Sequence, residues 1–176
     1  RIGIPQPFVI GVIGAARIAV AVDEIQKRAA DAIDGRRLDR LAGAGIFGRA
    51  QIQREAVRIV DGRIPLLVGV IDTETERVIE NIKAVEEIGG ATGVVATAPF
   101  YALGGETEVE RHFRLLKENT SLELWAYDIP VCVHTKLSPD LLMRLGRDGI
   151  IDGVKDSSGD DVSFRWLCRA NEAAGH

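Results

Sequence analysis

The chain has 176 residues, 46% hydrophobic and 27% charged, with a formal net charge of −4. That is enough for one domain with a sizeable core and close to the average composition of globular proteins. The acidic balance excludes a basic face for nucleic acid or for an acidic membrane surface, and no apolar run reaches the ~20 residues of a membrane helix.

The N-terminus lacks a signal-peptide layout, its apolar stretch being broken at Arg17. Cys132 and Cys168 form no close-spaced motif, so the expectation is a reducing, cytoplasmic setting rather than a disulfide framework. His112, His134 and His176 show no paired spacing with cysteines or carboxylates, which predicts no metal site and no cofactor.

In chain order, Phe8 to Ile13 is the first strand-like run. Arg36 to Arg40 is charged and poor as a strand, leaving Leu41 to Phe47 as the best second candidate. Four clearer strands then begin at Pro65, Gly93, Leu122 and Ile150, spaced 28, 29 and 28 residues apart. They are apolar at nearly every position, as strands covered on both faces are. A helical pattern follows each. Thr73 with Glu76 has capping-box spacing ahead of Val78, Ile82 and Val85, and Gly89-Gly90 stops that helix. Thr107 with Glu110 repeats the box before Val109, Phe113 and Leu116. Ser138-Pro139 caps a helix carrying Leu141, Leu142 and Leu145, and Asp160 or Asp161 caps a last helix with Phe164 and Trp166-Leu167-Cys168.

Even alternation of strand and helix at about 29 residues predicts an α/β fold with a parallel sheet, built of the units of a (β/α)8 barrel, which takes about 250 residues. At most six units fit, so the expectation is an incomplete barrel: one domain over 1–176, its C-terminal units missing and its N-terminal part atypical. A fragment, a disturbed N-terminal sequence, or partner chains covering the open edges would each account for this.

In such folds the working residues sit at the C-terminal ends of strands. Those ends here are Asp72, Ala98 to Tyr101, Tyr127 to Pro130 and Lys155 to Gly159. Lys155 closes a largely apolar strand. A lysine amine attacks a carbonyl only when neutral, and apolar surroundings favour the neutral form. Tyr127 lies one repeat earlier, hence about 5 Å away on a neighbouring strand, where its phenol can move protons. The bland alternative is a rim lysine paired with Asp156 beside a core tyrosine.

Three ordered motifs carry a resemblance: Ala96-Thr97-Ala98-Pro99-Phe100-Tyr101, Ala126-Tyr127-Asp128-Ile129-Pro130 and Gly153-Val154-Lys155-Asp156-Ser157-Ser158-Gly159-Asp160. From about Gly62 onwards the chain resembles the dihydrodipicolinate synthase / N-acetylneuraminate lyase family, eight-stranded barrels, often tetrameric, that act as class I aldolases on pyruvate or its adducts. The resemblance implies that Lys155 forms the imine and Tyr127 shuttles protons. It implies that Tyr101 stands near the site or at a subunit contact, and that the protein is a homo-oligomer, tetramer or dimer.

Two departures follow. The family's Gly-Thr-Thr-Gly-Glu motif, which holds the oxo-acid carboxylate, is not spelled in residues 1–61. Gly43-Ala44-Gly45-Ile46-Phe47-Gly48 stands nearest, so Gly43 and Gly45 are the candidates, binding through bare backbone N–H groups. Cys132 falls where the lysine-pathway synthase carries an arginine, and His134 is placed to bond a sugar hydroxyl. This points to a hydroxylated acid or aldehyde rather than to aspartate semialdehyde. The same glycines match G-x-G-x-x-G, with Asp72 at a later strand end. The alternatives are therefore a nicotinamide-dinucleotide-binding α/β domain and a non-catalytic barrel remnant.

Overall fold

The computed structural model describes residues 9–10 and 46–174. Five parallel strands form one sheet: β1 (Val9–Ile10), β2 (Leu67–Gly69), β3 (Gly93–Ala96), β4 (Glu123–Asp128) and β5 (Gly153–Asp156). The helices are α1 (Ile46–Val60), α2 (Thr75–Ile88), α3 (Glu106–Glu118), the one-turn α4 (Pro130–Val133), α5 (Pro139–Arg147) and α6 (Asp161–Ala173).

The strands lie in the order β1-β5-β4-β3-β2. The four strands expected from the repeat are therefore side by side, parallel and in chain order. The early strand also exists, but it pairs with β5, through Val9 with Gly153 and Ile10 with Val154. The repeat gives the order of units along the chain and is silent on which edge an N-terminal strand covers. The second strand candidate is corrected in part: Ile46 and Phe47 open α1, and only the remainder of that run lies outside the described residues.

Alternation along each strand separates two faces. Val70, Val94, Ala96, Ala98, Leu124, Ala126 and Val154 face the helices, packing with Val78, Ile82, Phe113, Leu116, Leu141, Leu142, Leu145 and Leu167 in one continuous core. The helical faces read from spacing are the buried ones, and His112 joins the α3 face.

The caps divide. Ser138 Oγ accepts from Leu141 N at 3.2 Å, with Pro139 opening α5, and Asp160 Oδ1 accepts from Ser163 N at 3.0 Å. The two capping boxes are absent. Thr73 Oγ1 turns to Asp72 Oδ1, at 3.3 Å, and Glu74 takes the cap position without a side-chain bond. Thr107 lies inside α3, which Gly105 precedes in extended backbone. Gly89 ends α2 with φ +76, a conformation that costs a residue without Cβ little.

The lower ends of β4 and β5 are bolted together. Asp152 Oδ2 accepts from Leu124 N at 2.8 Å and from Lys117 Nζ at 3.0 Å, while Asp152 N donates to Leu124 O at 2.8 Å.

Candidate active site

The face turned away from the helices carries the candidate residues. The register pairs Tyr127 with Lys155, directly opposite on β4 and β5. One step beyond the Ala96–Ala126 pair sets Thr97 beside Tyr127, so Thr97, Tyr127 and Lys155 form one row at the C-terminal ends of three strands. The row beneath holds Gly69, Val95, Trp125 and Gly153. Gly153 is required there, because a Cβ would meet the Trp125 ring at 2.7 Å. Trp125 thereby floors the site, and its Nε1 donates to Glu123 Oε2 at 3.1 Å.

Lys155 and Tyr127 are both half-buried. The Lys155 Nζ stands 3.7 Å from the centroid of the Tyr127 ring, in cation–π contact. Lys155 forms no ion pair among the described residues. The Asp156 carboxylate is occupied elsewhere, its Oδ1 accepting from Ser158 N at 2.7 Å and from Ser158 Oγ at 2.8 Å. The rim-pair alternative for Lys155 is therefore set aside. Thr97 is buried, and its hydroxyl finds no partner among the described residues.

Tyr101 is 96% exposed and held at φ +89, so it leaves the row altogether. His134 is exposed and ends α4 in left-handed backbone at φ +56, with Cys132 exposed one turn earlier. The structure brings Lys155 and Tyr127 together and leaves Tyr101 and His134 on the rim. Gly43 and Gly45 lie outside the described residues.

Asp72 is tied to its own loop. It accepts from Thr73 N at 2.8 Å and from Asn81 Nδ2 at 3.4 Å, and Arg77 stands 3.7 Å away. The Thr73 N–H, followed by Asn81, Arg77 and the Thr73 hydroxyl, holds its carboxyl below the usual range against the pull of burial. It has its partners without a ribose.

Two polar groups behind the row escaped the sequence reading. Asp128, one residue past Tyr127, is fully buried on the helix face, where it receives an ammonium hydrogen bond from Lys136 and one from Leu137 N at 3.1 Å. Burial raises its pKa, and the Lys136 and Leu137 bonds oppose the rise. His112 is buried at 2% exposure with Nδ1 2.9 Å from Thr75 Oγ1. Burial lowers its pKa to about 4, with the Thr97 backbone and the Glu76 charge pulling the other way. A signal existed for His112 in its place among Val109, Phe113 and Leu116. A contact between strand end and loop such as Asp128 to Lys136 has no periodicity to reveal it.

A parallel β/α sheet with a lysine and a tyrosine facing each other at adjacent strand ends is the arrangement of a β/α-barrel fold. Residues 47–172 match the dihydrodipicolinate synthetase family. The chain belongs to that family, and its fold is an incomplete (β/α)8 barrel. It is 35% identical over 107 residues to a 4-hydroxy-tetrahydrodipicolinate synthase of Streptococcus uberis, an alignment covering 61% of this chain and 35% of the relative. The dihydrodipicolinate synthase of Thermotoga maritima superposes with a TM-score of 0.68 at 24% identity, over 75% of this chain and 46% of that one. The chloride-inhibited dihydrodipicolinate synthase of Acinetobacter baumannii, complexed with pyruvate, gives 0.67 at 26% identity, over 76% and 46%. The chain thus spans about a third of the length of the curated relatives it matches. Among the described residues no helix is long and apolar enough to cross a membrane.

Proposed function

We propose that this chain is the catalytic part of a class I lyase or aldolase that forms a Schiff base between Lys155 and pyruvate or a 2-oxo-3-deoxy acid. The observation that carries the reading is Lys155 Nζ poised 3.7 Å over the ring of Tyr127, at register-paired positions on the open face. The neutral amine adds to the C2 carbonyl carbon, and the carbonyl oxygen takes up a proton to give a carbinolamine. Loss of that oxygen as water leaves the imine. Tyr127 gives and takes back the protons these steps need, as a positioned phenol can. The imine then draws electrons from C3, so that a C–C bond there can form or break.

Tyr101 and His134 serve from the rim. The outward placement of Tyr101 supports a contact with a second subunit, in a dimer or tetramer, and His134 is available to a substrate hydroxyl. Gly43 and Gly45 offer backbone N–H groups to the oxo-acid carboxylate. The chain is one partial β/α-barrel domain over 1–176, acting in the cytoplasm without a cofactor. Because Cys132 supplies no cation at the rim, the preferred substrates are hydroxylated acids or aldehydes rather than aspartate semialdehyde. A nicotinamide-binding reading is disfavoured by Asp72, whose carboxylate is committed to Thr73, Asn81 and Arg77.

Incubation with pyruvate and borohydride, followed by peptide mapping, tests the proposal. One reduced adduct on Lys155 is expected, lost in a folded Lys155→Ala variant. An adduct on another lysine, or none, overturns the reading. Turnover of aspartate semialdehyde with pyruvate, set against cleavage of 2-oxo-3-deoxy sugar acids, tests the substrate class; preference for the semialdehyde reverses that part.

A further inference from the structure

Asp128 sits immediately behind the site and does two things at once. Its carboxylate, fully buried, takes hydrogen bonds from Lys136 Nζ and from Leu137 N at 3.1 Å, drawing the far end of segment 129–137 back onto the end of β4. Its backbone carbonyl accepts from Ser157 N at 2.8 Å, joining the end of β4 to the residues just past Lys155. The segment so clamped contains α4 and ends its turn at His134, and it presents Val131, Cys132 and His134 to solvent.

A buried carboxylate without a counter-charge is strongly disfavoured, so Lys136 is held in place by the charge it balances. The other charge facing Asp128 is Asp156 on the neighbouring strand, which repels it, while Asp160 at the head of α6 also feels Lys136. Neither carboxylate can do the work of Lys136. The ammonium and carboxylate lie on the helix side, away from the reacting atoms, so they act through the segment they hold. A three-carbon oxo acid bonded to Lys155 ends near the strand tips. A six-carbon one reaches further, toward the strand-end loops, of which segment 129–137 is the one that follows Tyr127.

We propose that Asp128 and Lys136 are a positioning pair that fixes segment 129–137 as the rim for the distal, hydroxylated part of a 2-oxo acid, while leaving imine formation itself untouched. This rests on the Schiff-base reading given above.

The test uses the full chain and measures Lys155 labelling by borohydride against the concentration of pyruvate and of 2-oxo-3-deoxygluconate, counting every adduct on that residue. In Lys136→Gln, half-saturation by pyruvate is expected to stay within about twofold of the parent, while that for 2-oxo-3-deoxygluconate rises at least about tenfold. Lys136→Arg keeps the charge and should bring the second value most of the way back. Should Lys136→Gln fail to fold, Asp128→Asn decides. It leaves an acceptor for Leu137 N and no uncompensated buried charge, and the longer acid alone should weaken. Equal weakening of both acids means a purely structural pair and overturns the inference, as does no change in either or no recovery with arginine. If pyruvate does not label Lys155 in the parent chain, the Schiff-base reading has failed and the inference falls with it. Pyruvate labelling without a difference between the two acids is failure of the inference alone.

Discussion

The two faces of the sheet are built on different terms. Toward the helices, Val70, Val94, Ala96, Ala98, Leu124, Ala126 and Val154 are all at 0% exposure; of the polar groups there, Asp128 bonds Lys136 and Leu137, and His112 is held through Nδ1 alone. On the other face, Lys155, Tyr127 and Val95 are half-buried and Gly69 is exposed, with Trp125 as the one large closed surface. The sealed face supplies the stability, and the open face holds a lysine and a tyrosine that stay accessible because the backbone beneath them is already fixed. Adjacent residues of a single strand serve both ends: Tyr127 faces the site and Asp128 the core.

The largest effect that would break this division is in the sealed face. Phe113 is fully buried, and Phe113→Ala should cost about 3–5 kcal/mol, enough to unfold a marginal domain, read from urea denaturation. A loss below about 1 kcal/mol would show that the helix side is not the main core.

Next comes the acid limb of stability. The folded pKa of His112, about 4, lies below its ordinary 6.5, so on acidification the unfolded chain takes up a proton first. Stability from this group is complete above pH ~6.5 and drains away as pH falls toward ~4, by about 3 kcal/mol in total. Asp128 works in the opposite sense, since burial raises its pKa and protonation relieves it. Urea midpoints at pH 7 and pH 4.5 should differ clearly in the parent, and the difference should shrink in His112→Gln. An unchanged difference would move the acid sensitivity elsewhere.

On the open face, Gly153→Ala drives a Cβ to 2.7 Å from the Trp125 ring. A loss of about 1–3 kcal/mol is expected, with a change in tryptophan emission as the floor of the site shifts. Unaltered emission and stability would mean that this floor is loosely packed. The smallest effect belongs to neither face: Ser138→Ala removes the cap of α5 and should cost about 1 kcal/mol in thermal denaturation. A larger loss would come from the second bond of the same hydroxyl, which donates to Glu106 Oε2 at 2.7 Å.

Much of the fold was legible because strand-and-helix units repeat with one spacing, and that spacing alone places Tyr127 opposite Lys155. The caps at Ser138 and Asp160 were legible because each side chain bonds the first turn of its helix, Ser138 doing so while its hydroxyl also donates to Glu106 Oε2 at 2.7 Å. Thr73 and Thr107 misled because a capping-box spacing does not reveal competition. Asp72 offered Thr73 a nearer acceptor, and extended backbone at Gly105 began α3 before Thr107. The pairing of β1 with β5 was illegible for another reason: periodicity orders units along the chain but says nothing about edges. Within the site, the lysine and tyrosine are readable from strand ends, whereas Asp128 stands in the same motif as Tyr127. Its opposite orientation emerges only when alternation is applied residue by residue.

The bolt at Asp152 has a meaning for the residues at the other end of β5. Side chains alternate with a period of two, so sliding β5 by one residue against β4 would turn Lys155 into the helix layer and present Asp156 to the open face. The Asp152 carboxylate and N–H grip the two backbone groups of Leu124, and Lys117 holds that carboxylate from α3. Their effect is one of parity: an acid three residues before the lysine decides whether the surface facing a ligand offers an amine or a carboxylate.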